Sequence, residues 1–540
     1  MQKSVRQSMA WLHSWLGLTL GWLLFAIFLT GAATYYRHEI NLWMQPQFAT
    51  MQVKQDTAMN SAYQYLQKNA ADAQSWYIGV ASPSSPVNKI YWQKADGGYE
   101  NKTLDANTGK EVTLSATQGG EFFYGFHYQL YGVPYFIGRL LVTIAAFLML
   151  IILISGVITH KKIFTEFFIL RAFKGQRSYL DFHNVTSVIA LPFFLTITFT
   201  GLAIFFYLIL PNGMKKLYPE QPFQYFDEIR NISISSEAKP TPATMRPIEY
   251  FIQQSEQRWG KTEIDNITVK HPNTNIAQVN LVESTDRSIT RNQAQLSFNG
   301  ESGALLGDTR NNSAIATLNN GVYGLHMAHF AQPLLRFALF FSGLLGCAMI
   351  ASGLLLWSLK RQLQNKKQSF HFGHYVVNRL NTAAIIGLPI AMLSYLCANR
   401  LLQLEAGQPN YEIYAFFGTW LLSLAIALLT PQQHLWKTQL KAFILLAVSL
   451  PIFNLYYLIS HQYVHDLNEY WLFLRVDLMV FILAILAIFL HQKIQPIQQK
   501  AVQKIQKNMP ILRFRSPIHD LPDCRTSYHF RVLYVISGER

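Results

Sequence analysis

Leu12-His13-Ser14, followed by Thr30-Gly31, returns later in the chain as Phe182-His183-Asn184, followed by Thr200-Gly201; His13 and His183, like Gly31 and Gly201, are 170 residues apart. Tyr124-Gly125-Phe126-His127 returns as Tyr323-Gly324-Leu325-His326 at an offset of 199, and Ser155-Gly156 returns as Ser352-Gly353 at 197. Each of these histidines lies beside a long apolar run. The pattern predicts a duplicated membrane unit that keeps histidines at equivalent places at two depths. A pair related in this way can grip a flat, two-sided ligand between the copies.

Composition agrees with a membrane location. Half of the 540 residues are hydrophobic and 14% are charged. Apolar runs at 15–35, 136–159, 185–210, 334–358, 380–402, 413–430, 442–460 and 471–490 each approach the ~20 residues that cross a bilayer as a helix. The first run is too long for a cleavable signal, and Gly31-Ala32-Ala33 continues into a repeated unit. The surplus of 15 positive charges flanks the spans instead of forming one face, which argues against nucleic acid. Lys3, Arg6, Lys161, Lys162, Arg171, Lys174, Arg177, Lys360, Arg361, Lys366, Lys367 and Arg379 predict cytoplasmic termini and short cytoplasmic loops by the positive-inside rule. Cys347, Cys397 and Cys524 show no pairing logic, and the absence of Cys-x-x-Cys-His means that any haem is held without covalent attachment.

The expected fold is a polytopic α-helical membrane protein of about eight transmembrane helices, with two small α+β domains inserted in a tandem repeat. Its parts are a first transmembrane helix (1–35), a first outward domain (36–134), a second helix (135–160), a cytoplasmic loop (161–179), a third helix (180–210), a second outward domain (211–332) and a fourth helix (333–359). A block of four more helices (371–492) and a basic cytoplasmic tail (493–540) follow. The outward segments resemble each other. Thr103-Leu104-Asp105-Ala106-Asn107-Thr108-Gly109 aligns with Ser297-Phe298-Asn299-Gly300-Glu301-Ser302-Gly303, a strand running into hairpin-turn chemistry.

The Trp11-Leu12-His13-Ser14-Trp15-Leu16-Gly17 opening, Thr30-Gly31, the Leu104-Asp105-Ala106-Asn107-Thr108-Gly109 turn and Tyr124-Gly125-Phe126-His127 occur in order. Over residues 1–365 they resemble the PepSY-associated transmembrane helix family of iron-regulated bacterial inner-membrane proteins. The resemblance implies PepSY-like modules on the periplasmic face. It also implies a redox activity similar to that of haem-bearing ferric-siderophore reductases. Residues 371–540 lie outside it.

Neutral imidazole is a good axial ligand for haem iron. The repeat pairs His13 with His183 and His127 with His326, one pair for each of two b haems. The competing reading is interfacial histidines hydrogen-bonded at headgroup level. His160, His329, His374 and His38 form a second tier, with His329 on one face with His326 if that stretch is helical. Arg139 and Arg336, 197 residues apart, are candidates for haem propionates or for plain interfacial anchors. The Thr-Gly and Ser-Gly pairs suit either close helix packing or a flat wall for a porphyrin. His461, His465, Asp466 and Glu469 read as a solvated loop before a metal site. No Gly-x-Gly-x-x-Gly after a strand, P-loop or His-Glu-x-x-His is present. Electrons must then come from quinol or from a cytoplasmic reductase. The function expected is ferric-siderophore or other ferric-chelate reduction by a lipid-embedded protein. A haem-free module that restrains a periplasmic protease, or a component of siderophore transport, stays open. The transport reading lacks a charge cluster in the apolar runs.

Overall fold

The computed structural model describes residues 4–508, apart from 52, 84, 116, 161–168, 172–175, 221–238, 262, 285–288, 291–293, 310–313, 365–370, 403–409 and 466. Lys161, Lys162, Lys174, Lys366, Lys367, Asp466 and Cys524 lie outside the described residues.

The first copy opens with α1 (Val5–Thr34), whose Ser4 and Gln7 form a reciprocal capping box. It continues through α2 (Arg37–Met44), α3 (Gln55–Asn69), β1 (Ser75–Gly79), β2 (Val87–Gln93) and β3 (Tyr99–Asp105), then α4 (Glu121–Gln129) and α5 (Tyr135–Thr159). The second copy gives α6 (Gln176–Ile189), α7 (Leu191–Ile204) and α8 (Ile248–Trp259). Strands β4 (Ile264–Lys270), β5 (Gln278–Glu283), β6 (Gln295–Asn299) and β7 (Leu305–Asp308) follow, before α9 (Ala314–Met327) and α10 (Pro333–Gln364). The C-terminal block holds α11 (Phe372–Leu401), α12 (Tyr411–Leu429), α13 (Leu435–Ser460) and α14 (Leu467–Asn508).

Among the described residues seven helices are long and apolar enough to cross a membrane, and α6 with α7 makes an eighth only as a bent pair. The third span expected at 180–210 is thus not one straight helix. Its two halves meet at 65°. Pro192, near the start of α7, lacks a backbone N–H and its ring clashes with the preceding turn. The first copy has Trp22 at that place; α1 runs unbroken, and Trp22 Nε1 donates to Asn381 Oδ1 of α11 at 2.9 Å.

The two polar segments meet in one antiparallel sheet of order β3-β2-β1-β4-β5-β6-β7. The join is β1 against β4, with Trp76 opposite Val269 and Ile78 opposite Ile267. Alternation puts Trp76, Ile78, Ile90, Ile267, Val269, Val279 and Leu281 into one buried layer with Leu66 of α3 and Phe251 of α8. The repeated turns are built alike. Asp105 Oδ1 accepts from the Asn107 and Thr108 amides, and Asn299 Oδ1 from those of Glu301 and Ser302. Gly109 and Gly303 close the turns at φ +66° and +76°, where a side chain is disfavoured.

Candidate functional site: two histidine pairs

The duplication brings the repeat-matched histidines together. The His13 and His183 rings lie 6.2 Å apart between centroids at the end of the bundle away from the sheet. The His127 and His326 rings lie 6.1 Å apart, 24° from parallel, at the sheet end. Two imidazoles bonded to one metal at about 2 Å each would have ring centres about 6 Å apart, a spacing that both pairs would match. Along α1, the 14 residues from His13 to Ile27, which contacts His127, span about 21 Å.

Each ring is oriented from a partner helix in the same way. His13 Nδ1 faces the Ile152 carbonyl at 2.9 Å and His183 Nδ1 faces that of Met349 at 2.9 Å, positions 197 apart in the repeat. His127 Nδ1 faces the Ile27 carbonyl at 2.8 Å, and His326 turns its Nδ1 to α7. Thr200 Oγ1 lies 3.0 Å from His326 Nδ1. An Nδ1 that faces a carbonyl carries the proton, which leaves the coordinating lone pair on Nε2. Burial pushes the His127 imidazole below the usual histidine range against the Ile27 bond; burial and then His127 do the same to His326. Neutral imidazole is the ligating form.

The Thr-Gly and Ser-Gly pairs lie against these rings. A Cβ on Gly31 would stand 2.7 Å from His127 Cε1, and one on Gly201 would stand 2.8 Å from His326 Cε1. On Gly156 and Gly353 it would lie 3.1 Å from Cε1 of His13 and His183. Ser155 and Ser352 add hydroxyls 3.4 and 3.3 Å from Nδ1 of those two rings. Gly31→Val should therefore displace His127 and lower the haem bound per chain, whereas Gly17→Val, where a new Cβ meets nothing within 4 Å, should leave it unchanged. Equal haem content in the two variants would refute the seat.

Among the described residues no group of three or more His, Cys, Asp or Glu converges on a point. Two trans nitrogens are the number that a porphyrin iron leaves open. Buried nitrogens without a partner also come in repeat-matched sets: Arg139 Nε with Arg336 Nε, and His160 Nε2 with Trp357 Nε1. Such atoms are costly unless an acceptor reaches them, and propionate carboxylates are acceptors. The donor set and these atoms fit haem. Arg139 lies 3.8 Å over the Tyr135 ring and Arg336 pairs with Glu39.

The second-tier histidines join neither pair. His329 is off the helix of His326, because α9 ends at Met327 and Ala328 turns to φ +52°; the shared face expected of them does not form. His38 is exposed on α2. His374 is buried in α11, stacked on His371 at 4.3 Å and edge-on to Trp357 at 6.4 Å, with Nδ1 unpartnered.

Sequence reasoning missed a buried polar network in the C-terminal block. Asp477, Asn454, Arg400, Asn399 and Glu412 are hydrogen-bonded in series and reach Trp43 and Thr117 of the first copy. The apolar runs therefore do hold a charge cluster, and Asp477 inside the last run was its signal.

A duplicated helical bundle with two repeat-matched imidazole pairs and one shared sheet defines a polytopic membrane protein. The chain belongs to the PepSY-associated TM region family, whose model matches residues 10–360. No curated protein matches it.

Proposed function

We propose that this protein is an inner-membrane b-haem electron-transfer protein that reduces a ferric siderophore or another ferric chelate at its sheet-bearing, periplasmic face. The observation that carries the reading is the pair of matched imidazole couples, 6.1 and 6.2 Å between ring centres, one at each end of the bundle. Bis-histidine b haems held there would supply one-electron transfer across the span. The chain's part is placement: carbonyls fix the ring tautomers, glycines admit the rings, and Arg139, Arg336, His160 and Trp357 supply donors for propionates. The basic loops and termini favour cytoplasmic placement of the His13–His183 end, so the outer pair lies beneath the sheet. A ferric chelate takes one electron and becomes a ferrous chelate, which binds its iron less tightly and releases it. Quinol or a cytoplasmic reductase provides the electron.

The test is anaerobic mixing. Protein reduced with dithionite and freed of excess reductant should be reoxidised by a ferric hydroxamate, with one ferrous ion captured by a ferrous-specific chelator per electron lost. A reduced spectrum that persists after the chelate is added would rule the reading out.

A further inference from the structure

The C-terminal block carries a cleft apart from the histidine pairs. This cleft, of about 760 Å³, opens at the sheet end, between the ends of α11 and α13 and the chain that follows α2. That volume is in the range of small-molecule sites. One wall is a stack of rings: His461 lies 4.2 Å from Tyr457 at 29°, and 6.2 Å from Tyr463 at 9°. Tyr456 stands at the rim, 68% exposed. Among the described residues no Asp or Glu lines the cleft, and the permanent charge there is the Arg400 guanidinium, 4% exposed.

Among the described residues Arg400 has no counter-ion in contact. Its Nε donates to Asn454 Oδ1 at 2.7 Å, Nη1 to Asn399 Oδ1 and Nη2 to the Trp43 carbonyl, all neutral acceptors. Asp477 and Glu412 are each one amide further away: Asn454 donates to Asp477 at 2.8 Å and Asn399 to Glu412 at 2.6 Å. The guanidinium is packed between the Trp43 and Tyr457 rings, 3.9 and 4.9 Å from their centroids. Three of its five N–H groups are engaged, which leaves two. A buried cation without a directly paired anion is costly, and a carboxylate matches the geometry of the guanidinium fork.

We propose that this cleft binds a small aryl carboxylate, with its ring against the Tyr457–His461–Tyr463 wall and its carboxylate on Arg400. The proposal does not depend on the redox reading, because its residues are separate from both histidine pairs.

Isothermal titration of the detergent-solubilised full chain with 2,3-dihydroxybenzoate should show saturable one-to-one binding. Catechol, which lacks the carboxylate, and cyclohexanecarboxylate, which lacks the aromatic ring, should each bind about ten-fold more weakly or worse. Arg400→Gln should abolish binding, but Arg400 also ties the block to Trp43. Tyr456→Ala and His461→Ala therefore test the site at its rim and wall. Each should weaken binding by about five-fold with an unchanged melting temperature. No saturable heat with the natural chain, equal binding of either control compound, or unaltered affinity in both variants would overturn the proposal.

Discussion

Purified after expression with adequate haem supply, the protein should carry two b-type haems per chain, and His127→Ala or His326→Ala should each remove about half of that haem. The expectation follows from the way each pair is built. The two rings of a pair come from different copies, and each is anchored on another helix, His127 on the Ile27 carbonyl and His326 on the Thr200 hydroxyl. Loss of one imidazole leaves its partner oriented but alone. The inner pair, at the other end of the bundle with its own carbonyls at Ile152 and Met349, should keep its haem. The readouts are haem per chain and a low-spin spectrum with a sharp α-band on reduction. A chain that stays colourless would remove the redox reading and favour the module that restrains a periplasmic protease. Outer-pair variants that keep full haem and an unchanged spectrum would show the pair to be misassigned. His160→Ala should act more mildly, because His160 belongs to neither ring pair and offers at most a donor for a propionate.

What the sequence made legible was what the repeat made legible. His13 could be matched with His183, and His127 with His326, because a constant offset identifies equivalent positions without any knowledge of packing. The turn chemistry at Asp105 and Asn299 was also readable, since an Asx side chain bonds its own next amides. The bend at Pro192 follows from a residue in plain view, yet hydropathy alone runs straight through it. The union of β1 with β4 was out of reach. Edge pairing between two modules leaves no periodic signal, and both strands would show the same alternation if they stood apart. The glycine seats were ambiguous because a small residue within a span serves a backbone, a ring or a ligand equally well. In the C-terminal block, Asp477 is legible as an acid in an apolar run. Its partner Trp43, 434 residues earlier, could not have been named from sequence.

The second large effect separates the two ends of the bundle. His13→Ala should spare reoxidation of the dithionite-reduced outer centre by a ferric chelate but block steady reduction driven by a donor from the opposite side. His127→Ala should abolish both. The asymmetry rests on geometry, because the His13–His183 pair and the His127–His326 pair share no side chain, and about 21 Å of helix lies between their levels on α1. An iron held by two imidazoles would have no site left for substrate, so a bulky chelate would take its electron without binding the metal. On the proposed reading the chelate would approach the centre nearer the sheet, and loss of that centre should remove the exit. The diagnostic comparison is the rate of ferrous-chelator trapping in the two variants, each with its haem loss verified by spectrum. If His127→Ala protein that has lost the outer haem still reduces the chelate at the unaltered rate, electrons leave by another route and the assignment of the sheet end as the site of reduction fails. If His13→Ala also stops reoxidation by the chelate, the two ends do not act in series as the repeat implies.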